Sequence, residues 1–305
     1  MKTYREFSSL ADALGFSGKA LYSVTNHVSR HYKPVQIGKK NGEMRQLYVP
    51  DNFLKAIQKS ILVNLLAEEA VSPYATAYRA GSGPKQGARV HVGKPTVLKL
   101  DIRHFFDRVI YPQVKEKVFD AQRYSEQNRV LLSLLCVYRD ALPQGAPTSP
   151  AISNIIMRDF DNTVGAWCEQ RHIAYTRYCD DMTFSGDFDP APVIEFVQRE
   201  LRKMGFFLND KKTVVARRGQ RQCVTGIVVN ERVGVPAEYK QRIRQEVYYC
   251  QRFGIESHLA AIGSEVSADT YLRKLLGRVN YVLSVEPHNR AMQTYRSWLL
   301  KQMKA

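Results

Sequence analysis

Acidic residues are in short supply in this chain. Only 29 Asp and Glu stand against 45 Lys and Arg, giving a formal charge of +16 over 305 residues. A deficit of that size points to a polyanionic partner. Cysteine is also sparse: Cys136, Cys168, Cys179, Cys223 and Cys250 are odd in number and widely spaced. They form neither a disulfide framework nor a zinc-finger spacing and read as reduced small hydrophobes. No apolar run approaches the roughly 20 residues that span a bilayer, and no signal-like apolar segment opens the chain, so no membrane partner is expected and the cytoplasm is the expected location. Internal repeats are absent too. A hydrophobic fraction of 44% argues against disorder, and the length suits two or three closely packed subdomains.

Short helical patterns run from Phe7 to Leu14 and from Ala20 to His27. Val35 to Ile37 and Met44 to Val49 flank Asn41-Gly42, a hairpin signal with basic residues beside it. Phe53, Leu54, Ile57, Ile61, Leu62, Leu65 and Leu66 then recur at helical spacing. A glycine-rich loop is expected from Ala80 to Lys94, a strand from Thr96 to Asp101, and helical material through Tyr138. The Leu142 to Pro150 loop leads into a helix from Ala151 to Gln170, then a hairpin, a helix from Ala191 to Met204 and a strand at Phe206 to Leu208. This order predicts an α/β body, a mostly antiparallel sheet backed by helices. Basic helices follow from Ala237, beyond a flexible boundary near Asn230 to Pro236.

The chemistry concentrates in Asp180-Asp181, at the tip of an apolar hairpin between Tyr175 and Phe184, and in Asp101 at the end of a second apolar strand. Carboxylates so placed need a cation. Two Mg²⁺ ions held by Asp101, Asp180 and Asp181 would lower the pKa of an attacking hydroxyl and neutralise charge developing on a phosphate. Asp101 and Asp180 are the candidates to bridge the ions. On a regular strand the Asp181 side chain points away from Asp180, so its participation requires a distorted tip. On the residues alone, both a polymerase and a metal-dependent phosphodiester hydrolase satisfy this pattern.

Five motifs, in order, resemble those of the bacterial retron reverse transcriptases. They are Leu100-Asp101-Ile102-Arg103-His104-Phe105-Phe106, the Leu142 to Pro150 string, Tyr178-Cys179-Asp180-Asp181, Gly205-Phe206-Phe207-Leu208-Asn209 and Val224-Thr225-Gly226. The resemblance covers roughly residues 45–281. It implies a right-hand polymerase with fingers, an antiparallel-sheet palm and a helical thumb. Residues 1–95 would form the N-terminal region and fingers, 96–231 the palm with an inserted fingers segment at 111–151, and 232–305 the thumb. Cys179 stands where the family commonly has alanine.

The resemblance also implies roles for single residues. Phe106 matches the steric gate beneath the incoming sugar, Gln144 and Gly145 the nucleotide-pocket loop, and Arg45 the fingers residue that contacts the triphosphate, with Lys39 or Lys40 as helpers. Candidate RNA contacts are His91, Lys211, Lys212, Val224, Thr225, Gly226, Arg242, Arg244, Arg273 and Lys274. Gly87-Ala88-Arg89-Val90-His91 keeps the alanine and histidine of a second retron box but has glycine for its asparagine. His91 is read either as an RNA contact or as a neutral packing histidine. The implied activity is RNA-directed DNA synthesis from deoxynucleotide triphosphates, with a cognate structured non-coding RNA as template and primer. The implied product is a 2′-5′ branched RNA-DNA that serves antiviral defence beside a separate toxic effector protein. An intron-related reverse transcriptase and a catalytically weak RNA-binding defence scaffold are the alternatives.

Overall fold

The computed structural model describes residues 2–38, 42 and 44–303. Its contacts divide the chain into two units, Met1–Gly83 with Leu98–Val215, and Pro84–Val97 with Ala216–Ala305.

In the first unit, helices Phe7–Leu14 and Gly18–Asn26 precede an antiparallel pair, β1 (Tyr32–Gly38) and β2 (Met44–Pro50), in register from Tyr32 opposite Pro50 to Gly38 opposite Met44. Asn41, Lys39 and Lys40 lie outside the described residues. Asp51 caps the next helix, Asn52–Ile61, by accepting the Leu54 N–H at 2.9 Å. Leu54, Ile57 and Ile61 are buried there, while Phe53 faces solvent. A π-helical turn over Leu62–Leu66 advances the register so that Leu65 and Leu66 return to the core.

A four-stranded sheet carries the acidic residues. β3 (Thr96–Asp101), β4 (Ala174–Tyr178), β5 (Asp181–Gly186) and β6 (Val214–Arg217) lie in the order β4-β5-β3-β6, with β4 and β5 antiparallel. β5 is buried along its length except at Asp181, as expected of a strand covered on both faces. The Ser149–Glu169 helix packs on β4, and Leu98, Leu100, Phe160, Val164, Tyr175, Met182, Phe184 and Phe206 share one core. The strand expected at Phe206 to Leu208 is reduced to a single bridge between Leu208 and Ile102. Gly205, at φ +79°, and the 3₁₀ turn Asp210–Lys212 interrupt it, and the pairing resumes in β6. Phe207 is exposed, beneath the Arg108 guanidinium at 4.6 Å.

In the second unit, the segment expected as loop contains a short helix, Pro84–Arg89. Strands β7 (Cys223–Val224) and β8 (Ile227–Val228) form a hairpin whose turn residues, Thr225 and Gly226, both have positive φ, 47° and 83°. That sign pattern is the I′ turn, which favours glycine at its second position. Helices Ala237–Phe253, Ile255–Ala261, Ala268–Val285 and Arg290–Gln302 complete the unit. Ile243, Val247 and Cys250 pack with Leu272, Leu275 and Val279. Tyr248, on the same helix, is 56% exposed because it lies a full helical step beyond Val247. Among the described residues no helix is long and apolar enough to cross a membrane, and the five cysteines are free thiols.

Candidate active site

Asp101 ends β3 and is 4% exposed. One residue on, the Ile102 N–H donates to the Asp180 carbonyl at 3.0 Å, which fastens the end of β3 to the β4–β5 turn. The Asp101 carbonyl accepts the Asn209 N–H at 2.8 Å. Its carboxylate accepts the Asn209 amide at 3.2 Å and the Lys212 ammonium at 2.8 Å. Lys212, expected to track a nucleic-acid backbone, is therefore engaged with the acid itself. Its pKa is raised, first by that hydrogen bond and then by the charges of Asp101, Asp180 and Asp181. Neither Asn209 nor Lys212 was singled out by sequence for this contact, because the pairing spans 108 and 111 residues.

The hairpin tip departs from regular strand geometry at Cys179. Cys179 has φ +60°, and Asp181 opens β5 opposite Tyr178. Asp181 is exposed as a residue, yet its carboxyl is crowded by protein; burial first, then the charges of Asp180 and Asp101, lift its pKa to about 6. The three acids thus act on one another electrostatically. Among the described residues no group of three His, Cys, Asp or Glu is arranged to hold a metal ion as it stands. The donor set nevertheless suits Mg²⁺, since it offers hard oxygens. The nearby Lys212 and Lys99 charges act the other way and lower the Asp181 pKa. Burial and the Asp180 charge push the Cys179 thiol up to about 12, so it is no nucleophile.

The folded pKa of Asp181 lies above its ordinary 3.8, so the folded state holds the proton more tightly, and the stability so contributed is lost as pH rises from 3.8 to about 6. If Asp181 is a ligand, Mg²⁺ binding must displace that proton. Calorimetry should show proton release and weaker Mg²⁺ binding at about pH 5 than at about pH 7. Identical affinity at both, with no proton released, would count against Asp181 as a ligand.

The nucleotide-pocket candidates divide into two groups. Arg45 is exposed on β2 opposite Ile37. The same strand meets the Gln144-Gly145 loop, where the Tyr48 N–H donates to the Gln144 carbonyl at 3.1 Å. Gly145 has φ +125°, and a Cβ there would stand 3.1 Å from the Tyr48 carbonyl. Its missing side chain lets the loop close on β2. Gly145→Ala should therefore cost about 1–3 kcal/mol in a denaturant melt. Phe106 is separate from this contact: it is half-buried and meets Phe105 edge-on at 5.4 Å.

His91, Val224, Thr225, Gly226, Arg242, Arg244, Arg273 and Lys274 all belong to the second unit. There the two retron-like boxes meet: Ala88 and Val224 share one core, and the Pro84–Arg89 helix packs on the β7–β8 hairpin. His91 is fully buried, and burial with the nearby Lys94 charge pushes its pKa down to about 4, so the ring is neutral and offers RNA no surface. Val224 is buried as well, whereas Gly226 is exposed and Thr225 half-buried. Arg242, Arg244 and Lys274 are exposed, as is Arg273, which pairs with Asp269 at 2.7 Å. Lys211, in the first unit, is exposed beside Lys212.

Residues 37–244 match the family described as reverse transcriptase (RNA-dependent DNA polymerase). The retron Ec83 reverse transcriptase of Escherichia coli is 30% identical over 235 residues, which cover 72% of this chain and 75% of that protein. The chain belongs to the retron reverse transcriptase family. The retron Mx65 reverse transcriptase of Myxococcus xanthus is 33% identical over 285 residues, 85% of this chain. That match spans 66% of the Mx65 protein's length, just under two thirds. Retron relatives thus match well beyond the acidic motifs. Apo telomerase from Candida tropicalis shares the fold, with a TM-score of 0.51 at 13% identity over 94% of this chain and 63% of that one.

Proposed function

We propose that this chain is an RNA-directed DNA polymerase that uses a cognate structured non-coding RNA as template and primer, and that its branched RNA-DNA product serves antiviral defence. The observation that carries the reading is the fastening of the β3 end to the β4–β5 turn, which brings Asp101 to Asp180 and Asp181 inside the family-matched region. In this reading the sheet is the palm, within residues 96–231. Residues 1–95 and 111–151 supply the fingers, and 232–305 a helical thumb.

Asp101, Asp180 and Asp181 would hold two Mg²⁺ ions, which supply Lewis acidity toward the primer hydroxyl and the triphosphate. The chain's own residues do the positioning. Asn209 holds Asp101 through backbone and side chain, and Lys212 donates a charge-assisted hydrogen bond to its carboxylate. Arg45 presents a planar set of donors suited to phosphate oxygens. Gln144 and Gly145 shape the base and backbone side of the pocket, and Phe106 closes the sugar side. Arg242, Arg244, Arg273 and Lys274 provide charge for an A-form duplex, and Thr225, Gly226 and Lys211 are further RNA contacts. A separate toxic effector protein would complete the system.

Purified protein given its cognate RNA, Mg²⁺ and deoxynucleotides is expected to make cDNA joined to the RNA through a 2′-5′ linkage. Sequencing of debranched and untreated product checks the junction. cDNA carrying only a 3′-5′ junction would instead favour an intron-related enzyme.

A further inference from the structure

Arg177, on β4, and Asp161, on the Ser149–Glu169 helix, are both fully buried. A guanidinium removed from water is tolerated only where its donors are met. Nε donates to the two Asp161 oxygens at 2.8 and 3.0 Å, and Nη2 donates to Asp161 at 2.6 Å and to the Asn154 amide oxygen at 3.1 Å. The remaining nitrogen, Nη1, donates to the Cys179 carbonyl at 2.9 Å. The anchors are themselves anchored. Asn154 and Asp161, seven residues apart, share one helix face; Asn154 donates to the Ala77 carbonyl at 2.9 Å, and the Tyr175 hydroxyl donates to Asp161 at 2.8 Å. The Arg177 backbone is bonded on both sides as well, its N–H to the Tyr74 carbonyl and its own carbonyl to the Thr76 N–H.

Neutralising Asp161 requires no bond to the turn, so the Nη1 contact needs its own account. Cys179 and Asp180 are the two central residues of the β4–β5 turn, and only Cys179 has positive φ. Two tight turns join antiparallel strands in this way. Type I′ needs positive φ at both central residues and type II′ at the first alone; the two differ chiefly in the orientation of the peptide between them. The oxygen of that peptide belongs to Cys179, and Arg177 holds it.

We infer that Arg177, locked by Asp161 and Asn154, is a positioning residue that selects the II′-like form of this turn and so aims the Asp180 carboxylate. Its effect on catalysis rests on the polymerase reading. The pair is a fixed internal strut, and the acid it serves is displaced if the 179–180 peptide turns over.

The test uses the full chain on a primed RNA template. Tyr175→Phe, Asp161→Leu and Arg177→Met combined remove the charges while keeping volume, an exchange that buried ion pairs often tolerate. At temperatures where circular dichroism shows the triple variant folded, kcat should fall about 100-fold with KM for the deoxynucleotide within about twofold, and the half-saturating Mg²⁺ concentration should rise. Arg177→Lys keeps the charge without the planar donor set and should lose about tenfold in kcat. A crystal structure of the triple variant should show the 179–180 peptide reoriented. A folded variant with wild-type kcat, or with that peptide unmoved, would overturn the strut. Should the triple variant not fold, Arg177→Lys decides by the same readouts, and wild-type kcat there overturns it equally. An inactive wild-type protein would refute the polymerase reading alone, because the peptide orientation still judges the strut.

Discussion

Asp101→Asn and Asp180→Asn are each expected to lower cDNA synthesis by roughly 10³-fold or more, since loss of metal-assisted charge stabilisation is worth several kcal/mol. The double change Asp180→Ala with Asp181→Ala should abolish it. RNA binding should persist in all three, because no candidate RNA contact is substituted and the replaced side chains are acids that repel a polyanion. The Asp101 change is the more informative single variant. It leaves Lys212 and Asn209 facing a neutral amide in place of the carboxylate they now bond. Single-turnover extension and filter binding on the same preparations separate the two effects. Undiminished product from the Asp180/Asp181 variant would remove the chemistry proposed here. Asp181→Asn carries an opposite sign for stability. The Asp181 carboxyl is held above its ordinary pKa by burial and by its acidic neighbours, so the amide should raise the melting temperature at neutral pH while reducing activity.

Phe106→Ala should relax discrimination between deoxynucleotides and ribonucleotides by roughly 10–100-fold, the range that one apolar steric contact supplies. Phe106 is half-buried, edge-on to Phe105, which itself packs against Phe206. One side of Phe106 is thus backed by core. Loss of the ring should therefore cost some stability, while the ratio of kcat/KM values for the two nucleotide types, measured on one template, isolates the gate. An unchanged ratio with reduced stability would assign Phe106 to packing alone.

Much of the local structure was legible because local rules decide it. Thr96 to Asp101 reads as a strand from its apolar run, and the observed β3 has those bounds. The hairpin at Asp180-Asp181 follows from aromatic flanks on both sides, and the Ser149–Glu169 helix begins within two residues of its expected start. The failures have equally local causes. Gly87 did not prevent a helical turn at Pro84–Arg89, which is supported by packing on the β7–β8 hairpin rather than by propensity. Phe206 to Leu208 has strand composition, but its partner strand reaches it at one residue only.

Order and identity of motifs along the chain determined the family, the acids and the apolar runs that carry them, since these depend on neighbours in sequence. Tertiary structure alone decided that Lys212 bonds Asp101, that His91 is sealed in the core, and that Arg177 reaches past Asp161 to the Cys179 carbonyl. Each of those outcomes depends on burial or on partners brought together by folding. A side chain's type states which bonds it is able to make, whereas desolvation and the groups within about 3 Å select the one it does make.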